Sequence, residues 1–445
     1  MNYLFSNKDL RKLIIPLIFE QALAVTVGMA DTMMISSVGE AAVSGVSLVD
    51  MINMLIFSIL SALATGGAVV TSQYIGAQKI KEGRKSAKQL LYTVIFISFI
   101  ITILVMLFRT PLLKLFFGSI EADVMENALI YLMISAISFP FLAIYNACAA
   151  LFRSMGNSQI TLKVSIFMNI INVVGNAFCI FILEMGAAGV ALPSLVSRAF
   201  AGIVLYILLK NPNHLIHFEK ERFTLDFHVI KRILYIGIPS GIENGIFQLG
   251  RVLVVSIISG FGTVQIAANG VANNLDAMGC IVGQAMGLAM ITVIGQCVGA
   301  NDEKQVRYYT KKLLLITYVG TILVNASILL SLNPLLQLYG LSAETTKLAY
   351  ILVMIHDGCA MILWPIAFVL PNMLRACNDV RFTMIISIFS MFAFRIGLSY
   401  IIGIRMGMGA LGVWIAMVVD WIFRSALFIG RYLKGSWKKL CHIET

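Results

Sequence analysis

The chain has 445 residues, of which 59% are hydrophobic and only 12% charged, with a formal net charge of +11. A soluble globular chain carries roughly 25% charged residues, so a soluble fold is excluded. Most of the positive charge lies at the chain ends and in alternate turns between long apolar runs, which argues against a polynucleotide site.

Stretches 90–108, 127–152 and 164–183 contain no Asp, Glu, Lys or Arg. Uncharged apolar runs of about 20 residues read as transmembrane helices. Inside a bilayer the backbone must satisfy its own hydrogen bonds, which leaves helix bundles and β-barrels. The runs are continuous rather than alternating, which excludes a barrel. In chain order the predicted spans are 10–37, 44–74, 86–109, 124–151, 160–183 and 187–210, then 229–260, 266–297, 304–331, 344–373, 380–404 and 409–432. The first is too long, and too free of a cleavage site, to be a signal peptide. The tenth carries Trp364-Pro365 and Pro371, which predict a kink or an unwound turn.

Of the 33 Lys and Arg, 25 lie at the two ends or near the even-numbered turns, such as Lys79, Lys81, Arg84, Lys85 and Lys88. The alternate turns carry four: Arg109, Lys114, Lys347 and Arg405. By the positive-inside rule both termini are expected in the cytoplasm of a cell-membrane protein. The seven cysteines show no paired spacing, and a reduced packing role is expected of them.

The run 211–228 is the most polar in the chain, with Glu219, Lys220, Glu221 and Arg222. It reads as a cytoplasmic linker between bundles 1–210 and 229–445. The two sides match at a shift of 223 residues: Pro16 with Pro239, Glu20 with Glu243, Gly39 with Gly262, and Gln73-x-x-Gly76-Ala77 with Gln296-x-x-Gly299-Ala300. Each half holds six helices, an even number, so the repeats are parallel. Two such bundles suit alternating access.

Seven acidic residues (Glu20, Asp31, Asp50, Glu243, Asp276, Asp357 and Asp420) and four arginines (Arg198, Arg251, Arg395 and Arg424) fall inside the spans. Each costs roughly 2.5–3.5 kcal/mol at a helix centre on insertion scales, so each must face protein or water. Asp420 and Arg424 share a helix face. With Arg395, and with Asp357 in the same half, they are read as a second-half charge cluster. The sharper signal is an asymmetry between the halves. Val254 stands at the repeat position of Asp31, Arg395 and Ser399 at those of Asn172 and Asn176, and Ala416 and Met417 at those of Pro193 and Ser194. One carboxylate with amides, a hydroxyl and a carbonyl freed by Pro193 suits either Na⁺ or a proton-switched hydrogen-bond network. Asp31, Asn172, Asn176 and Ser194 are therefore the expected cation-coupling set, with Asp31, Asn172 and Asn176 as the Na⁺ ligands.

Two six-helix halves, Pro16 followed by Asp31-Thr32, the Gln73-x-x-Gly76-Ala77 signature, and Leu151-Phe152-Arg153-Ser154-Met155-Gly156-Asn157 with its second copy Leu374-Arg375-Ala376-Cys377-Asn378-Asp379 resemble the multidrug and toxin extrusion (MATE) family. The resemblance covers almost the whole chain. It implies an all-α membrane fold of about twelve helices, V-shaped with a central cavity. It also implies a monomer that exports organic, often cationic, compounds in exchange for Na⁺ or H⁺, with no cofactor. The family's first-helix coupling carboxylate maps to Asp31, its fifth-helix pair to Asn172 and Asn176, and its sixth-helix hydroxyl to Ser194. Some branches carry a Glu on helix seven and an acid on helix ten, and here Phe247 and Trp364 stand there. The alternative reading is a flippase for lipid-linked oligosaccharide or another lipid precursor. Such flippases often line their cavity with cations for phosphates, whereas four arginines here face seven acids. A membrane enzyme is disfavoured, because the chain has five histidines, no His-Glu-x-x-His and no Gly-rich phosphate loop.

Overall fold

The structure is a computed structural model that describes residues 3–218 and 223–441, and of Thr32 the backbone alone. The expected linker charges Glu219, Lys220, Glu221 and Arg222, and both chain ends, lie outside the described residues. Among the described residues there is no strand. Among the same residues, twelve helices are long and apolar enough to cross a membrane.

The first six spans are α1 (Asn7–Ser36), α2 (Glu40–Gly76), α3 (Ile80–Phe117), α4 (Ala122–Ser154), α5 (Ser158–Ala177) and α6 (Ala188–Leu208). They form one compact unit, residues 5–245, together with the first half of α7 (Phe227–Ser259). The helix starts are specified locally. Ser6 caps α1 reciprocally with Asp9: Asp9 N–H donates to Ser6 Oγ at 3.2 Å, and Ser6 N–H to Asp9 Oδ2 at 2.9 Å. Asp226 caps α7 by accepting from the His228 and Val229 N–H groups at 2.9 and 3.3 Å. The Lys85 ammonium hydrogen-bonds the same carboxyl and holds it below the usual carboxylate range.

α3 runs past its expected end at 109. It bends at Phe108 (φ −106°, ψ 19°), because Pro111 has no N–H to bond the preceding turn. α5 ends in a π-helical turn, Phe178–Ile182. Small residues let backbones meet inside this unit. A Cβ on Gly66 of α2 would stand 2.5 Å from the Ile233 carbonyl oxygen and 2.9 Å from Gly237 N on α7, so only glycine allows that crossing. Glu20, buried at 6% exposure, ties three helices together. It accepts from Arg153 Nη2 on α4 at 2.8 Å and from Thr161 Oγ1 on α5 at 3.2 Å.

The second unit comprises residues 3–4 and 246–441 of the described chain. Leu4 N–H donates to Gln305 Oε1 at 2.9 Å, and the Tyr3 ring lies 4.8 Å from that of Tyr308. The expected eighth span, 266–297, is two helices, α8 (Thr263–Gly279) and α9 (Ile281–Gly299), meeting at Cys280. The cause is at Gly279. Asn325 Nδ2 donates to the Gly279 carbonyl at 3.2 Å, and the Asn325 side chain occupies the place a Cβ would take. Next come α10 (Glu303–Leu330), the short α11 (Leu332–Gln337), α12 (Ala343–Trp364), α13 (Leu370–Ala376), α14 (Val380–Ser390) and α15 (Gly409–Lys434). The two prolines of the tenth span do not unwind it. A π-helical turn, Pro365–Val369, joins α12 to α13 in one span, Ala343–Ala376. A longer π-helical stretch, Met391–Arg405, completes the span begun by α14.

Candidate functional site

The first unit brings Asp31, Asn172, Asn176 and Ser194 together. Asp31 lies near the end of α1. Asn172 and Asn176, one turn apart, present their amides from one face of α5, and Ser194 follows Pro193 on α6. Asn176 Nδ2 donates to Asp31 Oδ1 at 2.8 Å. The Asn172 amide lies between Asp31 and Ser194. One end is 3.0 Å from Asp31 Oδ1 and 3.3 Å from Oδ2, and the other is 3.0 Å from Ser194 Oγ. Asn172 and Asn176 are buried and Asp31 is partly buried. α5 and α6 meet closely here because Gly175 leaves room for the Pro193 ring, which a Cβ would touch at 2.8 Å.

The amide of Asn172 can satisfy this site in two ways, because one end donates and the other accepts. If Asp31 is ionised, Asn172 Nδ2 donates to the carboxylate, and Asn172 Oδ1 accepts the Ser194 hydroxyl proton. If Asp31 is protonated, its O–H donates to Asn172 Oδ1. Asn172 Nδ2 then donates to Ser194 Oγ, whose proton goes to the Val190 carbonyl at 3.0 Å. The second pattern puts the Ser194 hydroxyl to use within its own helix. The Asn176 Oδ1 atom is buried and has no hydrogen-bond partner among the described residues.

Beside this set the structure places a second polar group that the sequence did not connect. Tyr131 OH on α4 donates to Asp50 Oδ1 on α2 at 2.8 Å. Arg198 Nη1 on α6 donates to Ser138 Oγ at 2.7 Å, and its guanidinium lies 4.5 Å from the Phe57 ring centroid. The Arg198 charge acts on both Asp50 and Asp31. Asp50 and Arg198 stood out in the sequence only as intramembrane charges, and Tyr131 gave no signal.

In the second unit, Asp420, Arg424 and Arg395 come together. Arg424 Nε is 3.0 Å and Arg395 Nη1 3.7 Å from Asp420 oxygens. The Phe247 ring lies 5.5 Å from Arg395 Cζ and 5.8 Å from Arg424 Cζ. An aromatic face thus serves those cations where some branches of the resembled family have a carboxylate. Asp357, expected in the same cluster, belongs elsewhere: its Oδ1 is 2.8 Å from His356 Nδ1.

The MatE family profile matches this chain twice, over residues 16–178 and again over 239–401. Both ends of the second match are displaced by the 223 residues of the internal repeat. The chain belongs to the MatE family. Among curated relatives it is 27% identical to the uncharacterized transporter YisQ of Bacillus subtilis, over 95% of this chain and 93% of that protein. It is 26% identical to the probable multidrug resistance protein NorM of Thermotoga maritima, over 97% and 93%. Among solved structures, a MOP superfamily transporter from Pyrococcus furiosus superposes with a TM-score of 0.90 at 19% identity, over 97% of this chain and 96% of that one. A MATE crystal structure in its bent conformation gives 0.88 at 19% identity, over 98% and 96%. At these identities the structural matches establish the fold.

Proposed function

We propose that the protein is a secondary active exporter of organic, positively charged drugs or metabolites, driven by inward movement of Na⁺ or H⁺ through alternating access. The observation that carries this reading is the carboxylate of Asp31 facing two amides, one of which can reverse its hydrogen-bond sense. Such a group reports the arrival of a proton or a small cation to three helices at once. Relatives named as multidrug resistance proteins support the transport class. The excess of intramembrane acids over arginines supports a cationic cargo. One-to-one exchange of a monovalent ion for a singly charged cargo moves no net charge, so the concentration gradient of the ion, and not the membrane potential, drives it.

The test is transport by the purified chain in liposomes, with Na⁺ and pH gradients imposed separately and matched cationic and anionic dyes as cargo. Cationic dye should accumulate against its gradient under at least one of the two ion gradients. Accumulation that persists with both gradients collapsed would sink the coupling. A clear preference for the anionic dye would instead favour a lipid-precursor flippase.

The 25-to-4 division of Lys and Arg supports a cell-membrane protein with cytoplasmic termini. A cysteine placed by Glu219→Cys should gain impermeant thiol label only in inverted vesicles, and one placed by Lys114→Cys only in intact cells. The reverse pattern overturns that orientation.

A further inference from the structure

The break between α8 and α9 coincides with a group of side chains that the coupling site does not use. Asp276 and Cys280 are one turn apart on the same face, and His356 reaches them from α12. One donor atom from each of the three lies within 4.8 Å of the other two. His356 Nε2 pairs with Asp276 Oδ1, and Cys280 Sγ is 3.4 Å from that same oxygen. The other ring nitrogen is committed: His356 Nδ1 lies 2.8 Å from Asp357 Oδ1. His356 is 1% and Asp357 0% exposed. Two rings hold the imidazole in place, Trp414 at 5.5 Å and Trp421 at 4.9 Å between centroids.

We propose that Asp276, Cys280 and His356 form a binding site for one divalent transition-metal cation of the zinc class. Four lines of argument support it. First, carboxylate, thiolate and imidazole are the three donor types that zinc takes, with bonds of about 2.0–2.3 Å. Donors on a tetrahedral metal stand roughly 3.3–4 Å apart, close to the spacing of this triangle, in which no pair is more than 4.8 Å apart. Second, the carboxylate on the far side of the histidine reproduces the outer-shell arrangement of metal-ligating imidazoles, fixing the tautomer and aiming Nε2 at the metal. Third, the remaining Asp357 oxygen is buried and has no hydrogen-bond partner among the described residues. Asp276 and Asp357 flank His356 on its two ring nitrogens, and the positive charge these carboxylates call for is met by an imidazolium or by a divalent cation beside a neutral His356. Arg251 and Arg395 act on Cys280 and Asp276 electrostatically but do not replace a ligand-bound cation. Fourth, the repeat puts Asn53, Phe57 and Met133 at the corresponding positions of the first half, so the donor set belongs to the second unit alone.

Asp276 is 24% exposed at its side chain, which leaves a way in for the ion and an open fourth position for water. On binding, the Cys280 thiol gives its proton to solvent, and the thiolate becomes the third ligand. The bound ion links α8 to α12 across the helix break.

The experiment uses the purified full chain in detergent, stripped with a chelator and titrated with Co²⁺, whose thiolate charge-transfer absorption reports a sulfur ligand. One Co²⁺ per chain should bind with that absorption and be displaced by Zn²⁺. Cys280→Ser should abolish the absorption, whereas Cys377→Ser and Cys441→Ser should keep it. Asp357→Asn should weaken binding by roughly 10- to 100-fold. In the unmutated chain, Zn²⁺ should protect Cys280 from alkylation, a readout independent of how any variant folds. Absence of stoichiometric binding, an absorption that survives Cys280→Ser, or alkylation of Cys280 at the same rate with and without Zn²⁺ each overturns the site.

Discussion

Replacing Asp31 by Asn abolishes gradient-driven efflux while the protein still inserts and folds. The substitution preserves volume and one carbonyl oxygen but removes the charge and the titratable proton. Asn176 Nδ2, 2.8 Å from Asp31 Oδ1, keeps an acceptor, so the α1–α5 contact survives. What is lost is the choice between the two Asn172 arrangements, since an amide at position 31 cannot alternate between acceptor-only and donor forms. A transport rate below about 1% of wild type is expected, equivalent to ~2.7 kcal/mol or more on the driven step. Val254→Asp in the same background, at the repeat-related position, restores nothing, because Arg395 and Ser399 stand where the amides are needed. Liposome transport together with size-exclusion of the purified variant checks both halves of the expectation. Normal folding with wild-type export and wild-type pH and Na⁺ dependence would remove Asp31 from the mechanism and turn attention to the second-half acids.

The second large effect is on stability. Asp420 is fully buried, and Arg424 is 3% exposed. The carboxylate takes Arg424 Nε at 3.0 Å and the Ser390 hydroxyl on the same oxygen, while Arg395 stands 3.7 Å from the other. Arg424 also donates to Ser387 Oγ and to the Ser387 carbonyl, each at 3.2 Å. Arg424→Met keeps the length of the side chain but leaves Asp420 with the more distant Arg395 alone. Breaking a buried pair from one side costs about 3–5 kcal/mol, more than the pair itself contributes, because the remaining charge is stranded. The variant should therefore lose most of its monodisperse yield or melt far below wild type in detergent. The triple change Asp420→Asn, Arg395→Gln and Arg424→Gln should recover much of that loss, because no charge of this group is then left unpaired. A single variant that melts like wild type would mean that Arg395 alone neutralises Asp420.

The proposed coupling set was legible in the sequence for a specific reason. Internal duplication supplied a control copy, so a carboxylate against Val254, two amides against Arg395 and Ser399, and a Pro-Ser against Ala416 and Met417 stood out as departures from symmetry. Helical spacing then put Asn172 and Asn176 on one face. The Asp50, Tyr131 and Arg198 group was not legible, because its members sit on α2, α4 and α6, and nothing in a linear pattern says which faces meet. The interruption at Cys280 was hidden for a related reason. Gly279-Cys280 lies within an apolar run, the matching helix α2 is unbroken, and the cause is Asn325, more than forty residues away. Asp357 was grouped with Arg395, Asp420 and Arg424 because charges inside one half look alike in sequence. Packing sorts them into an arginine group against Phe247 and a histidine group against two tryptophans.

The position of Asn172 also bears on how this site can vary under selection. An amide is a neutral side chain whose two ends differ in hydrogen-bond sense, and both ends are used here. Aspartate would set a second negative charge beside Asp31, leucine would leave Ser194 and the carboxyl without a go-between, and serine is too short to reach both. Almost every single-step replacement at 172 therefore removes the exchange of partners. Ile170 and Val174 nearby on the same helix, 52% and 62% exposed, can drift among aliphatic residues at little cost. Changes in the range of compounds exported would then arise around residue 172, with the amide itself held fixed.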